Sequence, residues 1–313
     1  MNNFYSVHDV DDINGLINRC QQIKKDPFSN KTLGRNKLLV LLFFNPSLRT
    51  RLSTQKAAYN LGMDVICMNM NEGWKWEMED GAVMKMDTAE HIKDAARVIS
   101  SYADIIGVRT FPSLKNKDVD YQDKVINALM NYSTVPVVNM ESSILHPLQS
   151  LTDLFTIKEK KGNQALKVVL TWAPHPKALP QAVSNSFLQW MNASEIDVTI
   201  CNPEGYDLDP IFTTGHRTVH SQDEAFVDAD VIYVKNWSSV DHYGQNLNQD
   251  ESWMITAQKL RKTNNALLMH CLPVRRNVVI SDDALDSDHS FVIDQAGNRA
   301  VAAQAVLETL LLS

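Results

Sequence analysis

The sequence predicts an α/β protein built on two doubly wound parallel sheets. Three observations lead there. Short apolar runs occupy consecutive positions, amphipathic segments alternate with them, and one long helical pattern divides the runs into two similar sets. Strands buried on both faces of a parallel sheet read as continuous apolar runs, not as alternating ones.

An opening helix is expected from Val10, Ile13, Ile17, Cys20 and Ile23 at helical spacing. Strands are then expected at 37–44, 64–68, 104–109 and 135–139, followed by 167–171, 197–201, 230–235, 266–270 and 291–293. The intervening helices include "LRTRLSTQKAAYNLG", closed by Gly62, and "TAEHIKDAARVISSYA". The segment "HPLQSLTDLFTIKEKKG" reads as a helix separating strands one to four from strands five to nine. It sets the expected organisation: a first domain at 1–150, a second at 151–295, and a closing helix at 296–313 that packs back on the first. There is no internal repeat and no low-complexity tract.

Composition narrows the function class. The 313 residues are 44% hydrophobic and 21% charged, with a net charge of −7, which argues against nucleic acid or an anionic membrane as partner. A small, locally cationic pocket remains compatible with that balance. The four cysteines, Cys20, Cys67, Cys201 and Cys271, form no CxxC pair, so reduced thiols are expected and not a disulfide framework or zinc site. "MNNFYSVHDVDD" lacks the basic-then-apolar pattern of a signal peptide, and no apolar run approaches the ~18 residues of a membrane span. A cytoplasmic setting is the expectation.

The chemistry begins at "FFNPSLRTR", where the first apolar run ends and a helix is due to start. "SLRT" would then occupy the first helical turn, whose free N–H groups and dipole form an anion site. Ser47 and Thr50 add hydroxyls, and Arg49 adds a bidentate guanidinium. The plain alternative is an N-cap serine followed by solvated arginines. Other strand ends bear on the choice. Arg109 closes strand three; Glu141, His146 and Gln149 follow strand four; His175 and Lys177 follow strand five. Lys235 and Trp237 close strand seven; His270, Cys271, Arg275 and Arg276 follow strand eight; Arg299 lies beyond strand nine. Each alone has an ordinary explanation. Together they make a cationic edge where doubly wound sheets bind ligands.

"SLRTR", "HPLQ" and "HCLP", in this order and at these separations, resemble the aspartate/ornithine carbamoyltransferase family over essentially the whole chain. The resemblance implies a carbamoyltransferase-type fold, with a carbamoyl phosphate domain and an acceptor domain linked by interdomain helices. It also implies a homotrimer with active sites shared between subunits, small-molecule substrates, and no cofactor or metal. By resemblance, Ser47, Leu48, Arg49 and Thr50 hold the phosphate. Arg109 and His146, with Thr50, reach the carbonyl oxygen, while Gln149, Cys271 and Leu272 face the carbamoyl nitrogen. Arg299 completes the cationic wall, and Arg49, Arg109 and His146 are the expected catalytic residues. Trp74, with Trp76 as the alternative, is expected to reach a neighbouring subunit's phosphate.

The acceptor is read from a departure. Ornithine enzymes carry an Asp and a Ser-Met-Gly loop where this chain has "VKNWSS". A lysine suits a carboxylate better than an α-ammonium, so the resemblance shifts to the N-acylornithine branch, with Glu141, His175, Lys235 and Arg275 as acyl-ornithine contacts. Within it the discriminating position, glutamate in the acetyl type and proline in the succinyl type, aligns with Ala89; Glu90 takes that place if the register shifts by one. An alanine there leaves room for a succinyl carboxylate. The implied reaction is carbamoyl transfer to the δ-amine of N-succinyl-L-ornithine, in arginine biosynthesis. N-acetyl-L-ornithine and then ornithine are the alternatives. A nucleotide-binding or non-catalytic doubly wound protein is the reading from a different class; no GxGxxG turn supports it.

Overall fold

The structure, a computed structural model, describes Met1–Ser313. The chain divides into two compact units: Met1–Pro112 with Asp118–Leu148 and Arg299–Ser313, and Ser113–Lys117 with Gln149–Asn298.

In the first unit the elements are α1 (Ile13–Lys25), β1 (Leu38–Phe43), α2 (Leu48–Leu61), β2 (Asp64–Asn69), β3 (Lys75–Glu77), β4 (Thr88–His91), α3 (Ile92–Tyr102) and β5 (Ile105–Arg109). They continue, past α4 (Lys117–Asp120), with α5 (Lys124–Tyr132) and β6 (Val137–Glu141). The main sheet has the order β2-β1-β5-β6 with every pair parallel. β1, β5 and β6 are buried almost throughout, which explains their unbroken apolar runs. From β1 the chain steps outward to β2, then returns to place β5 on the other side of β1. That reversal makes the carboxyl ends of β1 and β5 the topological switch point, where open α/β sheets bind ligands. Gly62 ends α2 in the left-handed region (φ 80°), and a Cβ there would lie 2.2 Å from the Lys31 carbonyl oxygen.

The second unit contains most of α6 (Pro147–Lys161), then β7 (Val168–Trp172), α7 (Ala182–Ala193), β8 (Val198–Cys201), α8 (Pro210–Thr213), β9 (Arg217–Val219) and α9 (Gln222–Ala225). β10 (Val231–Lys235), α10 (Ala257–Leu260), β11 (Leu267–Met269), α11 (Asp282–Leu285) and α12 (Val292–Leu312) complete the chain. Its parallel sheet has the order β11-β10-β7-β8-β9, so the switch point lies between β7 and β10. No helix is long and apolar enough to cross a membrane.

Two expectations change, and one strand is added. Residues 291–293 are not a strand: only a short bridge beside Ser290 pairs with β11, and α12 starts at Val292 with Ile293 exposed. The apolar triplet is the entry turn of an amphipathic helix. Residues 88–91 are not helical but form β4, paired in parallel with β3, and α3 begins only at Ile92, capped by His91. β9 carries two exposed polar residues and gave no apolar run to read.

The unit boundaries lie inside α6, between Leu148 and Gln149, and inside α12, between Asn298 and Arg299. Residues 299–313 belong to the first unit, where the Asn60 amide donates to Gln304 (2.8 Å) and Arg19 to Glu308 (2.8 Å).

Candidate active site

At the first switch point β1 ends in Asn45-Pro46, and Ser47 caps α2. Its extended backbone (φ −155°, ψ 119°) aims the hydroxyl at the Thr50 N–H, 3.3 Å away. Ser47 and Arg49 are partly exposed and Leu48 is exposed. Thr50 is buried, and its hydroxyl accepts a 2.8 Å hydrogen bond from Arg299 Nη2, tying the first turn of α2 to the start of the first unit's share of α12.

Arg109, at the carboxyl end of β5, is buried and held by three protein partners. Nε and Nη2 reach Glu141 Oε2 at 3.1 and 3.0 Å, and Nη1 donates to the carbonyls of Asn45 (3.0 Å) and Pro46 (2.8 Å). The guanidinium also lies 4.0 Å from the Phe111 ring centroid. His146 Nε2 stands 3.7 Å from the same Glu141 oxygen. Glu141, expected among acyl-ornithine contacts, thus sits between Arg109 and His146. The loop from Glu141 to His146 is pinned by Asp123, which accepts from Ser142 Oγ (2.5 Å), the Ser143 N–H (2.8 Å) and Tyr5 Oη (2.9 Å). Burial pushes the Asp123 carboxyl up from its ordinary value against these hydrogen bonds.

A cleft of about 410 Å³ opens beside the start of α2, lined by Ser47, Leu48, Arg51 and Asn69 among others. The Arg51 guanidinium lies over the Phe43 ring at 4.7 Å and hydrogen-bonds Asn69. Trp74 is 64% exposed and donates to Glu90 (2.9 Å), whereas Trp76 is partly buried, 5.8 Å from the Phe44 ring in an edge-on contact. Lys75 pairs with Thr88 and Trp76 with Glu90, leaving Ala89 as the extra residue of a bulge, exposed.

The second unit carries its own cluster at the β7/β10 switch point. Arg275 Nε donates to His175 Nε2 (3.1 Å), so that nitrogen is an acceptor and the proton sits on Nδ1, facing the Lys177 carbonyl at 2.8 Å. Asn246 donates to the His175 carbonyl (2.7 Å). Burial holds the His175 pKa below its ordinary value; the Lys177 carbonyl opposes this, and Arg275, Lys235 and Lys177 reinforce it. Lys235 closes β10, whose end is locked to β7 by Asn236 on the Ala173 carbonyl (2.7 Å) and by Trp172 Nε1 on the Trp237 carbonyl (3.1 Å). Trp237 is fully buried, a core residue. A cavity of about 230 Å³ includes His175, Glu251, Met254 and Arg275 in its lining. Arg276 points elsewhere, onto Asp282 (2.8 Å) and Asp286 (2.6 Å) at the surface. Gln149 and His270 are buried, Cys271 and Leu272 partly so, and Leu272 packs on the core of the second unit.

Four residues that position these groups were not singled out from the sequence: Asn45, Asn246, Asp153 and Gln295. Asn45 Oδ1 accepts from the Phe111 N–H (2.7 Å) and braces the strand-to-helix turn. For Asp153 a signal existed, its i+4 spacing from Gln149 on one helix face.

Two domain models of one family match the chain: the carbamoyl-P binding domain of aspartate/ornithine carbamoyltransferase over residues 2–159, and its Asp/Orn binding domain over 180–310. The chain is 49% identical to N-succinylornithine carbamoyltransferase of Bacteroides fragilis over 314 residues, covering 99% of each. It is 37% identical to N-acetylornithine carbamoyltransferase of Xylella fastidiosa, covering 96% of this chain and 95% of that one. Among solved structures, a glutamate-to-alanine variant of N-acetyl-L-ornithine transcarbamylase, complexed with carbamyl phosphate and N-succinyl-L-norvaline, aligns with a TM-score of 0.92 at 34% identity, covering 99% of this chain and 100% of that one. With both family halves matched in order and similarity running the full length, the chain belongs to the aspartate/ornithine carbamoyltransferase family.

Proposed function

We propose that the protein transfers the carbamoyl group of carbamoyl phosphate to the δ-amine of N-succinyl-L-ornithine, giving N-succinyl-L-citrulline and phosphate. The amine lone pair bonds to the carbonyl carbon, the carbon–oxygen bond to phosphate breaks, and the proton lost by nitrogen ends on the phosphate product. Negative charge grows on the carbonyl oxygen and the leaving phosphate, so fixed donors at both places lower the barrier. Ser47, Leu48, Arg49, Thr50 and Arg299 supply donors for the phosphate, and Arg109 and His146 for the carbonyl oxygen. Gln149, Cys271 and Leu272 take the carbamoyl nitrogen. Holding both reactants in place supplies much of the remaining rate gain.

The observation that carries the reading is the pair of switch points. A donor-rich helix start follows β1, and a separate His175–Arg275–Lys235 cluster follows β7 and β10. The second cluster has three basic side chains suited to an acylated, carboxylate-bearing ornithine, with Glu141 the further expected contact. For the acyl group, Ala89 places no carboxylate at the discriminating position, and Glu90 is occupied by Trp74. The solved variant that carries alanine for a glutamate is complexed with N-succinyl-L-norvaline, in keeping with an alanine at such a position. N-acetyl-L-ornithine is the second reading, favoured by Glu90 lying one residue from Ala89 on β4.

The exposed Trp74 is proposed to reach the phosphate of a neighbouring subunit in a cytoplasmic homotrimer. A solution mass three times 35.3 kDa supports the trimer; a monomer retaining full activity overturns the shared site. The reaction itself is tested by offering carbamoyl phosphate with N-succinyl-L-ornithine, N-acetyl-L-ornithine or L-ornithine in parallel. The expected order of kcat/KM follows that sequence, and preference for free ornithine would sink the argument from Lys235. Ala89→Glu should shift preference toward the acetyl substrate.

A further inference from the structure

Inside the second unit a buried carboxyl group organises two amide side chains. Asp153 Oδ1 accepts from Gln149 Nε2 at 2.7 Å and from Gln295 Nε2 at 2.7 Å. Gln295 Oε1 in turn accepts the His270 N–H at 3.0 Å, one residue before Cys271. The Tyr233 hydroxyl faces both Asp153 and the Cys271 thiol. Gln149, Asp153, Gln295 and Tyr233 are each at most 1% exposed.

An amide can present either its oxygen or its NH₂ to a neighbour, and only the neighbour's chemistry decides which. An oxygen that already receives two N–H groups is an acceptor, so both glutamines must turn their NH₂ toward Asp153. For Gln295 this leaves Oε1 on the His270 amide, which is where it lies. For Gln149 it leaves a buried Oε1 with no hydrogen-bond partner in the protein. Buried polar atoms are rarely left so unless something else meets them. A carbamoyl nitrogen carries two N–H donors and requires an acceptor. A flipped Gln149 would set NH₂ against NH₂.

We propose that Asp153 is a positioning residue that fixes the Gln149 amide with its carbonyl oxygen free to accept from the carbamoyl nitrogen, and that through Gln295 it holds the His270–Cys271 strand end in register with it. The assignment rests on the carbamoyl-transfer reading. It explains why a carboxyl group is retained in a fully buried helix position where an apolar side chain would be easier to accommodate.

Asp153→Leu is close in volume and removes the acceptor, so nothing holds the Gln149 amide in one orientation. Its kcat should fall about 10- to 100-fold, with the KM for the acyl-ornithine unchanged, as expected for losing one acceptor at the reacting group. In a Gln149→Ala background the same substitution should cost less than about threefold, because only the route through Gln295 remains. An equal loss in both backgrounds would mean that Asp153 acts structurally, and overturns the proposal. Asp153→Asn, whose side-chain oxygen can still accept from both glutamines, serves if that variant does not fold. Its kcat should exceed that of Gln149→Ala at least tenfold, and parity with Gln149→Ala overturns the proposal. Absence of carbamoyl transfer by the wild type would instead overturn the functional reading itself.

Discussion

The two switch points solve the same problem with different amounts of rigidity. In the first unit Arg109 is buried and spends its donors on Glu141 and on two carbonyls of the strand-to-helix turn, while Thr50 is held by Arg299. In the second unit the cations are more open, and one hydrogen bond between Arg275 and a neutral His175 sets their arrangement. On the proposed reading, the first is preorganised for a phosphate and carbamoyl group whose geometry does not vary. The second would meet the part of the substrate that differs within the family, and it depends on fewer fixed contacts. Buried networks gain orientation at the cost of desolvation, whereas open ones leave room for change.

The largest expected effect is at Arg109. Arg109→Ala leaves Glu141 buried without its partner, so stability should fall by roughly 3–5 kcal/mol, seen as a lower midpoint in urea unfolding, together with activity. An unaltered midpoint would show that the pair contributes little. Arg49→Ala should lower kcat/KM for carbamoyl phosphate about 100- to 1000-fold by removing charge stabilisation from the phosphate, with little change in melting temperature. Arg275→Ala should raise the KM for N-succinyl-L-ornithine on the order of 10-fold, the scale of one charged hydrogen bond, and leave the KM for carbamoyl phosphate unchanged. A loss of stability in that variant comparable to Arg109→Ala would erase the contrast between the two regions.

The smallest effect is in pH dependence. His175 and His216 are both held below their ordinary pKa, chiefly by burial. The unfolded chain therefore takes up protons more readily than the folded one as pH falls through about 6.5, and stability drops on the acid side. Melting temperature should decline modestly from about pH 7.5 to about 5.5, and His175→Asn should flatten part of that slope. A rise over the same interval would contradict the neutral tautomer assigned to His175.

The sequence made some of this plain and hid the rest for physical reasons. β1, β5, β6, β7 and β10 are buried on both faces, so their apolar runs identified them and placed Ser47, Arg109 and Lys235 at strand ends. β3, β4 and β9 are short and partly exposed, and nothing in their pattern separates them from loops. "FVI" at 291–293 read as a strand because three apolar residues cannot distinguish a strand from the first turn of a helix. Basic side chains at the sheet edges were legible because their charge is out of place in an acidic chain. Asn45 and Gln295 were not, because each acts by orienting another protein group, and such roles depend on contacts distant in sequence.

Calorimetric titration of carbamoyl phosphate into the wild type, Arg49→Ala and Arg275→Ala tests most directly the claim that the first switch point binds the donor without help from the His175–Arg275 cluster. The wild type and Arg275→Ala should bind with the same Kd, and Arg49→Ala should give no binding heat. Loss of binding in Arg275→Ala, or its retention in Arg49→Ala, would contradict the account.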